Sequence, residues 1–138
     1  MRQCNKHDGL YIDIADRVSK QSYDEKIQVG CVIVKDNNIL AYGWNGTPSG
    51  MDNTTRDSNG ITKKEVIHSE ANAIAKLART GGSSDNATLY CTHSCCWNCA
   101  KLILQAGVTR LVYIHEYDKE SIKFLKENNV EVDQYGIN

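Results

Sequence analysis

Two short motifs bring together residue types that bind zinc and move protons. An H-x-E motif places Glu70 two positions after His68, and a C-x-x-C motif about 28 residues further on pairs Cys96 with Cys99. Zinc accepts mixed histidine and cysteine ligation, and one His with two Cys leaves the fourth tetrahedral position open for water. Such an open position marks a catalytic rather than a structural zinc site. Glu70 is not needed as a ligand, so its carboxylate is free for general acid–base catalysis.

Each motif alone has a simpler explanation. A single histidine near a helix end is often a surface or capping residue, and a C-x-x-C pair can be a redox couple or a structural zinc clip. Thioredoxin-type chemistry would place the two cysteines after the first strand of a βαβ unit, whereas here they follow roughly the third predicted strand. Taken together, the two motifs resemble the signature of zinc-dependent nucleobase deaminases.

The elements that must position these motifs alternate along the chain. Leu10, Ile14 and Val18 recur every four residues, which predicts an amphipathic helix over 9–20. Apolar runs at 29–34 and 39–44 predict a hairpin with a turn of Asp and Asn. Beyond a long polar loop over 45–61, we predict a helix to about 79, a strand over 87–92, a helix over 96–106, a strand over 110–115, a helical segment over 121–126 and a strand over 130–132. This order predicts an α/β fold, a three-layer α/β/α sandwich with a mixed sheet of about five strands.

The start of the helix after the long loop decides whether the H-x-E motif can work as a unit. Inside a helix, residues two positions apart point about 200° apart and cannot share a site. The segment Thr62–Glu65 has the pattern of a capping box, which would start the helix early. A start near His68 would let His68 and Glu70 converge, and we predict this later start.

Length and composition limit the classes of protein. The chain has 138 residues, of which 41% are apolar and 24% charged, and a formal net charge of −1. These values predict one globular domain spanning residues 1–138 and argue against a polynucleotide partner. No apolar run of 18 residues is present and the first residues do not resemble an export signal, so we expect no membrane partner and a cytoplasmic location.

The other cysteines are expected to be reduced thiols, because a disulfide framework is rare in the cytosol. Cys31 lies in the apolar run 29–34, where a free cysteine serves as a small core residue. Cys91 and Cys95 belong with the C-x-x-C pair to a cluster of four cysteines within nine residues. Such clustering is typical of metal binding or thiol chemistry.

Several segments beyond the two motifs resemble deoxycytidylate (dCMP) deaminases of the zinc-dependent cytidine deaminase superfamily. Residues 29–36 and 43–50 are similar to the family's VGAVIVKD and GYNGTPSG segments, and residues 68–74 to its HAE-x-NAI helix. The resemblance covers roughly residues 10–120. It implies a cytidine deaminase-like fold and a hydrolase that converts dCMP to dUMP and ammonia, thereby supplying dUMP for thymidylate synthesis.

The resemblance also implies roles for individual residues. His68, Cys96 and Cys99 would hold one catalytic Zn²⁺, which activates a water for attack on C4 of the pyrimidine. Glu70 would take the proton of this water, pass it to N3 and later protonate the leaving amine. For the substrate, the resemblance points to Asn45 at the deoxyribose or the base edge, to Ser22 and Lys26 near the phosphate, and to Tyr117 as a residue that closes the pocket.

The sequence departs from the family pattern at the second motif. Cys95 occupies the position where the family has proline, so either Cys95 or Cys96 is a ligand, and we favour Cys96 because it keeps the C-x-x-C spacing. His93 is a further nearby candidate, which we interpret as a loop residue. Some relatives carry a second, structural zinc, but the loop 45–61 contains no Cys or His. We therefore expect a single zinc ion.

Regulation and assembly are also suggested by the resemblance. Many dCMP deaminases are hexamers that dCTP activates together with Mg²⁺ and that dTTP inhibits, so a homo-hexamer with these effectors is expected here. The resemblance associates Arg79 with regulation or with subunit contacts. The simpler alternative is that Asn72, Lys76 and Arg79 form the solvated face of a helix.

Two other classes of function remain open. One is a zinc deaminase with a different substrate, such as cytidine or a base in tRNA. The other is a zinc or redox module without catalytic activity. A Glu70 variant separates the last class from the enzymes, because only an enzyme would lose turnover while keeping its zinc.

Overall fold

The protein consists of one five-stranded sheet with helices on both faces. This architecture is seen in a computed structural model that describes residues 4–136. The elements in chain order are α1 (Lys6–Ser19), β1 (Gly30–Lys35), β2 (Asn38–Trp44), α2 (Ser69–Arg79), β3 (Thr88–His93), α3 (Trp97–Gln105), β4 (Arg110–His115), α4 (Lys119–Glu127) and β5 (Glu131–Gln134). The predicted elements are all present, and most boundaries differ by one to three residues. Helix α1 begins before the predicted residue 9 because Asn5 and Asp8 form a capping box there.

The topology of the sheet gathers several strand ends at one edge. The strand order is β2-β1-β3-β4-β5, with β1 antiparallel to both of its neighbours and β3, β4 and β5 parallel. The ends of β2, β3 and β4 and the start of β1 therefore lie together. Helices α2 and α3 both begin at this edge, after the loops that follow β2 and β3.

The helices form two layers around the sheet. Helix α1 packs on one face through a core that includes Ile12, Val32 and Val112. Helices α2, α3 and α4 pack on the other face through a larger core that includes Leu77, Ile103 and Leu125. The predicted three-layer α/β/α sandwich with a mixed sheet is thereby confirmed. Within residues 4–136, no helix is long and apolar enough to cross a membrane.

Two local features of the sequence explain how β2 is placed. Asp36 and Asn37 have φ values of 51° and 60°, as a two-residue turn between antiparallel strands requires, and Asp and Asn tolerate this conformation. A Cβ atom added to Gly43 would lie 2.6 Å from the backbone nitrogen of Ala73. Glycine at this position thus lets the first turns of α2 lie directly on the sheet.

The prediction that Cys31 is a free core cysteine is wrong. The residue is fully buried, as expected, but it forms a disulfide with Cys91. These two residues are direct partners in the antiparallel pair of β1 and β3, with Cα atoms 4.3 Å apart. Because directly opposed antiparallel positions bring side chains close together, the register of the strands rather than the local sequence determines this pairing.

A buried group of charges ties α1 to β4 and β5 on the face that carries α1. This charge cluster consists of Asp8, Tyr90, Arg110 and Asp133. Arg110 donates to both oxygens of Asp8, at 2.7 and 3.0 Å, and its Nε donates to Asp133 at 2.9 Å. The hydroxyl of Tyr90 donates to Asp8 at 2.7 Å. Although burial opposes ionisation, these donors lower the pKa of Asp8 to about 2.

Candidate active site

Both sequence motifs lie at helix starts. His68 is the N-cap of α2 and Cys96 is the N-cap of α3, each with extended backbone dihedrals. Neither side chain forms a capping hydrogen bond with its own helix, so the polar atoms of both side chains can contact each other. The prediction that the helix starts near His68 is confirmed, and the capping-box pattern at 62–65 does not start a helix. Glu70 lies in the first turn of α2, two positions after the histidine.

The three potential metal ligands converge. His68 Nδ1 lies 3.3 Å from Cys96 Sγ and 3.4 Å from Cys99 Sγ, and the three ligand atoms are all within 4.8 Å of one another. Zinc bonds of about 2.3 Å to sulfur and about 2.0 Å to nitrogen at tetrahedral angles imply N···S separations of about 3.5 Å. The arrangement therefore fits one tetrahedral zinc ion with a fourth position left over.

The electrostatics of this group also fit a bound cation. Burial raises the pKa of the Cys99 thiol, and the neighbouring Glu70 and Cys96 raise it further. A thiolate here needs a positive partner, and a divalent metal ion supplies such a charge. In the described part of the chain, no Lys or Arg forms an ion pair with Glu70. A zinc ion would thus be the counter-charge of the site.

The alternative ligand Cys95 lies outside this group. Its side chain is fully buried in the core beneath α2, α3 and α4, and its backbone carbonyl accepts a hydrogen bond from Ser121. Burial, followed by the charge of Glu70, raises the pKa of the Cys95 thiol to about 12. Of the two adjacent cysteines, the structure brings Cys96 together with His68 and Cys99.

Glu70 forms part of the wall of a cavity of about 200 Å³ at the gathered strand ends. Its carboxylate is buried, with an exposed fraction of 4%. The other lining residues come from five segments of the chain and are Asp24, Ile27, Val29, Asn45, Arg56, Thr62, Val66, His68, Ser69, His93, Ser94, Cys96 and Tyr117. The cavity therefore brings Glu70 together with two of the potential metal ligands, His68 and Cys96, in one cleft.

Asn45 lines the cavity, but its side-chain amide already forms two hydrogen bonds to the backbone of the cavity wall. Its Oδ1 accepts from the backbone nitrogen of Val29 at 2.8 Å, and its Nδ2 donates to the carbonyl of Ile27 at 2.9 Å. One amide hydrogen and one lone pair remain for a ligand. Ser22 is not among the lining residues, because its buried hydroxyl donates to the carbonyl of Asn45 at 2.7 Å.

The remaining residues predicted from the sequence lie at different distances from this cavity. Tyr117 is at its rim, with 64% of its surface exposed and its backbone nitrogen bonded to Ser94 Oγ. Lys26 lines a neighbouring surface depression instead, where its Nζ donates to the carbonyl of Gly60 at 3.4 Å. Arg79 is exposed in the last turn of α2, away from the cavity lining. His93 is in the lining, and burial followed by the nearby His115 lowers its pKa.

Sequence reasoning missed one ion pair in the cavity wall. Arg56 Nη2 lies 3.1 Å from the buried Asp24 Oδ1, and Arg56 Nη1 donates to the carbonyl of Gly60. Although burial opposes it, backbone donors and Arg56 lower the pKa of Asp24. The pair anchors the long loop 45–61 to the segment before β1. No local sequence pattern predicts this ion pair, because the two residues are 32 positions apart.

Comparisons with known proteins agree with this geometry. The family model described as the zinc-binding region of cytidine and deoxycytidylate deaminases matches residues 5–115. The deoxycytidylate deaminase of Saccharomyces cerevisiae is 33% identical over 94% of this chain and 45% of its own length. That of Mycobacterium phage D29 is 32% identical over 79% of this chain and 94% of its own length. The chain spans about half the length of the two curated yeast relatives that it matches.

A solved structure gives the same result at the level of the fold. The dCMP deaminase of the cyanophage S-TIM5, determined in complex with dCMP and dUMP, superposes with a TM-score of 0.91. It is 38% identical in sequence, and the alignment covers 96% of this chain and 99% of the cyanophage chain. The similarity therefore extends through every layer of the fold and is not restricted to the two motifs.

Proposed function

We propose that this chain, which belongs to the zinc-binding family of cytidine and deoxycytidylate deaminases, catalyses the hydrolytic deamination of dCMP to dUMP and ammonia. The observation that carries the proposal is the convergence of His68, Cys96 and Cys99 at the wall of the cavity that the buried Glu70 also lines. The cyanophage relative that binds dCMP and dUMP supports the choice of substrate, because it matches this chain over nearly its whole length.

The residues present fit a zinc ion, and His68, Cys96 and Cys99 would hold it. Such an ion would lower the pKa of a bound water to about 7 and so supply a nucleophile near neutral pH. The two helix starts contribute as well, since their free backbone N–H groups carry a partial positive charge. At Cys99, in the first turn of α3, this charge acts against the burial that raises the pKa of the thiol.

Glu70 is the residue that moves protons in this reaction. Its carboxylate accepts a proton from the attacking water and delivers it to N3 of the pyrimidine, which makes C4 more electrophilic. After attack, C4 carries both oxygen and the amino group, and Glu70 protonates the amino group so that ammonia leaves. One carboxylate thus acts as base and then as acid, a role that contributes about 10²–10⁴ in rate.

We propose a mononucleotide rather than a base in RNA as the substrate, because the formal net charge of −1 lacks the positive surplus typical of polynucleotide-binding proteins. The cavity is small, and its wall is fixed by the Asn45 hydrogen bonds and by the Asp24–Arg56 ion pair. We propose that Asn45 uses its remaining hydrogen-bonding capacity on the sugar or the base, and that Tyr117 covers the bound nucleotide. Lys26, which contacts the same Gly60 carbonyl as Arg56, contributes positive charge for a phosphate. Ser22 acts indirectly, by holding the backbone of Asn45.

Regulation remains a prediction. Activation by dCTP with Mg²⁺, inhibition by dTTP and assembly into a homo-hexamer are proposed from the family alone. Arg79, which is exposed on α2, is free to contact an effector or a neighbouring subunit. A cytoplasmic location is proposed on the same basis.

The decisive experiment measures ammonia release from dCMP by zinc-loaded protein, with and without dCTP and Mg²⁺. Deoxycytidine, cytidine and a tRNA are tested in parallel. Release from dCMP in either condition supports the proposal, and release only with dCTP also supports regulation. Release from a nucleoside or tRNA but not from dCMP would replace the substrate, and no release from any of them would favour a zinc module without catalytic activity.

A further inference from the structure

A row of buried polar atoms leads from the sheet to the Glu70 carboxylate. Ser69 Oγ donates to Glu70 Oε1 at 2.5 Å. Cys31 Sγ lies 3.0 Å from Ser69 Oγ and 3.7 Å from Glu70 Oε1. The exposed fractions of these three residues are 0–4%. Because these side chains are almost fully buried, the hydrogen bonds among them restrict how the carboxylate is oriented.

The hydroxyl of Ser69 has only one proton, so it can donate to only one of its two neighbours. Glu70 is the stronger acceptor, since charge-assisted hydrogen bonds are about twice as strong as neutral ones. Ser69 therefore donates to Glu70 and turns its lone pairs toward Cys31. Whether Cys31 can donate a hydrogen bond to Ser69 depends on whether it is a thiol or part of a disulfide.

In the disulfide with Cys91, the sulfur of Cys31 has no proton and donates to neither neighbour. As a thiol it is a weak donor, and Ser69 Oγ lies within reach of it. The reduced state thus completes a chain in which the thiol donates to Ser69 and Ser69 donates to Glu70. Hydrogen bonds in such a chain strengthen one another by polarisation.

We propose that Ser69 and Cys31 are positioning residues for Glu70, and that reduction of the Cys31–Cys91 disulfide completes this positioning and raises kcat. The proposal rests on the proposed function, because it concerns the residue that moves protons in deamination. In the redox step, a dithiol reductant gives two electrons and two protons. The S–S bond between Cys31 and Cys91 breaks, two thiols form, and the reductant closes its own disulfide.

The expected effect falls on turnover and leaves substrate affinity nearly unchanged. Neither sulfur lines the cavity, so the redox state does not alter contacts with the nucleotide. A carboxylate that is held at one oxygen spends more time in the orientation that the reaction needs. Reduction should raise kcat roughly threefold to tenfold, the range of one hydrogen bond, and change KM less than twofold.

Two substitutions at Cys31 separate the effect of a hydrogen-bond donor from the effect of losing the disulfide. Cys31→Ser and Cys31→Ala both remove the disulfide, but only serine supplies an O–H group. Cys31→Ser should match the reduced protein in kcat, Cys31→Ala should match the oxidised protein, and neither should respond to the dithiol. Equal kcat values in the two variants would overturn the proposal, as would a response of Cys31→Ala to the dithiol.

Substitutions at Ser69 provide a second, independent measurement. Ser69→Ala should lower kcat about tenfold or more with KM nearly unchanged, because a charged acceptor loses its donor. Ser69→Thr keeps the hydroxyl and should recover most of the loss. If both variants lose the same activity while remaining folded by circular dichroism, the hydroxyl has no positioning role and the proposal fails.

Zinc content must be measured in every sample, since oxidation of Cys96 and Cys99 would also lower activity. Only samples with one zinc per chain are compared. Wild-type protein that is active on dCMP but insensitive to both the dithiol and the Cys31 substitutions would overturn this inference alone. Wild-type protein that is inactive on dCMP in both redox states would overturn the proposed function and this inference with it.

Discussion

The charge cluster and the candidate active site are both buried polar groups, and they lie on opposite faces of one sheet. In the charge cluster, Asp8 accepts two hydrogen bonds from Arg110 and one from Tyr90. In the active site, the Glu70 carboxylate accepts a hydrogen bond from Ser69, and no Lys or Arg of the described residues forms an ion pair with it. One group contains its own counter-charge, and the other would, in the proposed function, be completed by a metal ion and a substrate.

Because of this difference, we expect the charge cluster to contribute to the stability of the fold and the candidate active site to contribute to catalysis. A buried ion pair with well-formed hydrogen bonds holds its ionisation states fixed, so the charge cluster joins α1, β4 and β5 but exchanges no protons at neutral pH. A buried carboxylate without a basic partner is free to change its protonation state during a reaction. Variants of the active site should therefore lose activity while the fold remains, and variants of the charge cluster should do the reverse.

The largest expected effect is at Glu70. Glu70→Gln keeps the shape of the side chain but removes its basicity, so kcat for dCMP should fall by at least about a thousandfold, within the range of general acid–base catalysis. Zinc should remain at one ion per chain, because Glu70 is not a ligand in this proposal. Glu65→Gln, which changes an exposed carboxylate just before α2, is the control and should retain full activity. Retained turnover in Glu70→Gln would remove this residue from the mechanism.

The next effect concerns the proposed metal ligands. Cys96→Ala should lose its zinc on dialysis against a chelator and should lose activity with it, because two ligands remain of three. Cys95→Ala is the matched control, since it removes the adjacent sulfur from the core and should keep one zinc per chain. Metal analysis together with the deamination assay checks both variants. If instead Cys95→Ala lost the metal and Cys96→Ala kept it, the ligand would be Cys95.

The charge cluster predicts a different response at Arg110. Arg110→Met leaves two carboxylates buried without their counter-charge, which should lower the free energy of unfolding by about 3–5 kcal/mol. Urea unfolding measures this loss. The kcat at temperatures where the variant is folded should stay within about twofold of wild type, because no residue of the charge cluster lines the cavity. Arg17→Met, at an exposed position of α1, should change stability by less than about 0.5 kcal/mol. A stable but inactive Arg110→Met would contradict the separation of the two clusters.

The active site was more predictable from the sequence than the charge cluster because its motifs are local. His68 and Glu70 are two positions apart and Cys96 and Cys99 are three, so the start of each helix is sufficient to bring each pair together. The turn of the first hairpin was predictable for the same reason, since Asp36 and Asn37 carry the required backbone preference. The α/β architecture followed from the alternation of apolar patterns.

Contacts between distant segments could not be predicted in this way. Asp8 and Arg110 are 102 positions apart, and Cys31 and Cys91 are 60 apart. Both contacts depend on which strands are neighbours and in which register, and a single sequence does not encode this in any local pattern. The same reason explains why Cys31 was assigned to the core as a free thiol and why the Asp24–Arg56 ion pair was missed.

The smallest predicted effect is a pH dependence of stability that originates at Asp8. The pKa of this carboxyl is lowered from 3.8 to about 2 in the folded chain, so the folded state binds the proton less tightly than the unfolded state. The stabilisation is therefore fully present above about pH 4 and is lost as the pH falls toward 2, amounting to about 2 kcal/mol.

Asp8→Asn tests this pH dependence, since an amide does not titrate in this range. Unfolding free energies of wild type and variant should differ most above pH 4 and should converge as the pH approaches 2. Asp13→Asn, which alters an exposed carboxylate on the same helix, should leave the wild-type pH profile unchanged. A difference between wild type and Asp8→Asn that stayed constant from pH 6 to pH 2 would mean that the variant loses packing or hydrogen bonds rather than charge. In that case Arg110 would stabilise the fold mainly through Asp133, and the charge cluster would be a pair and not a network.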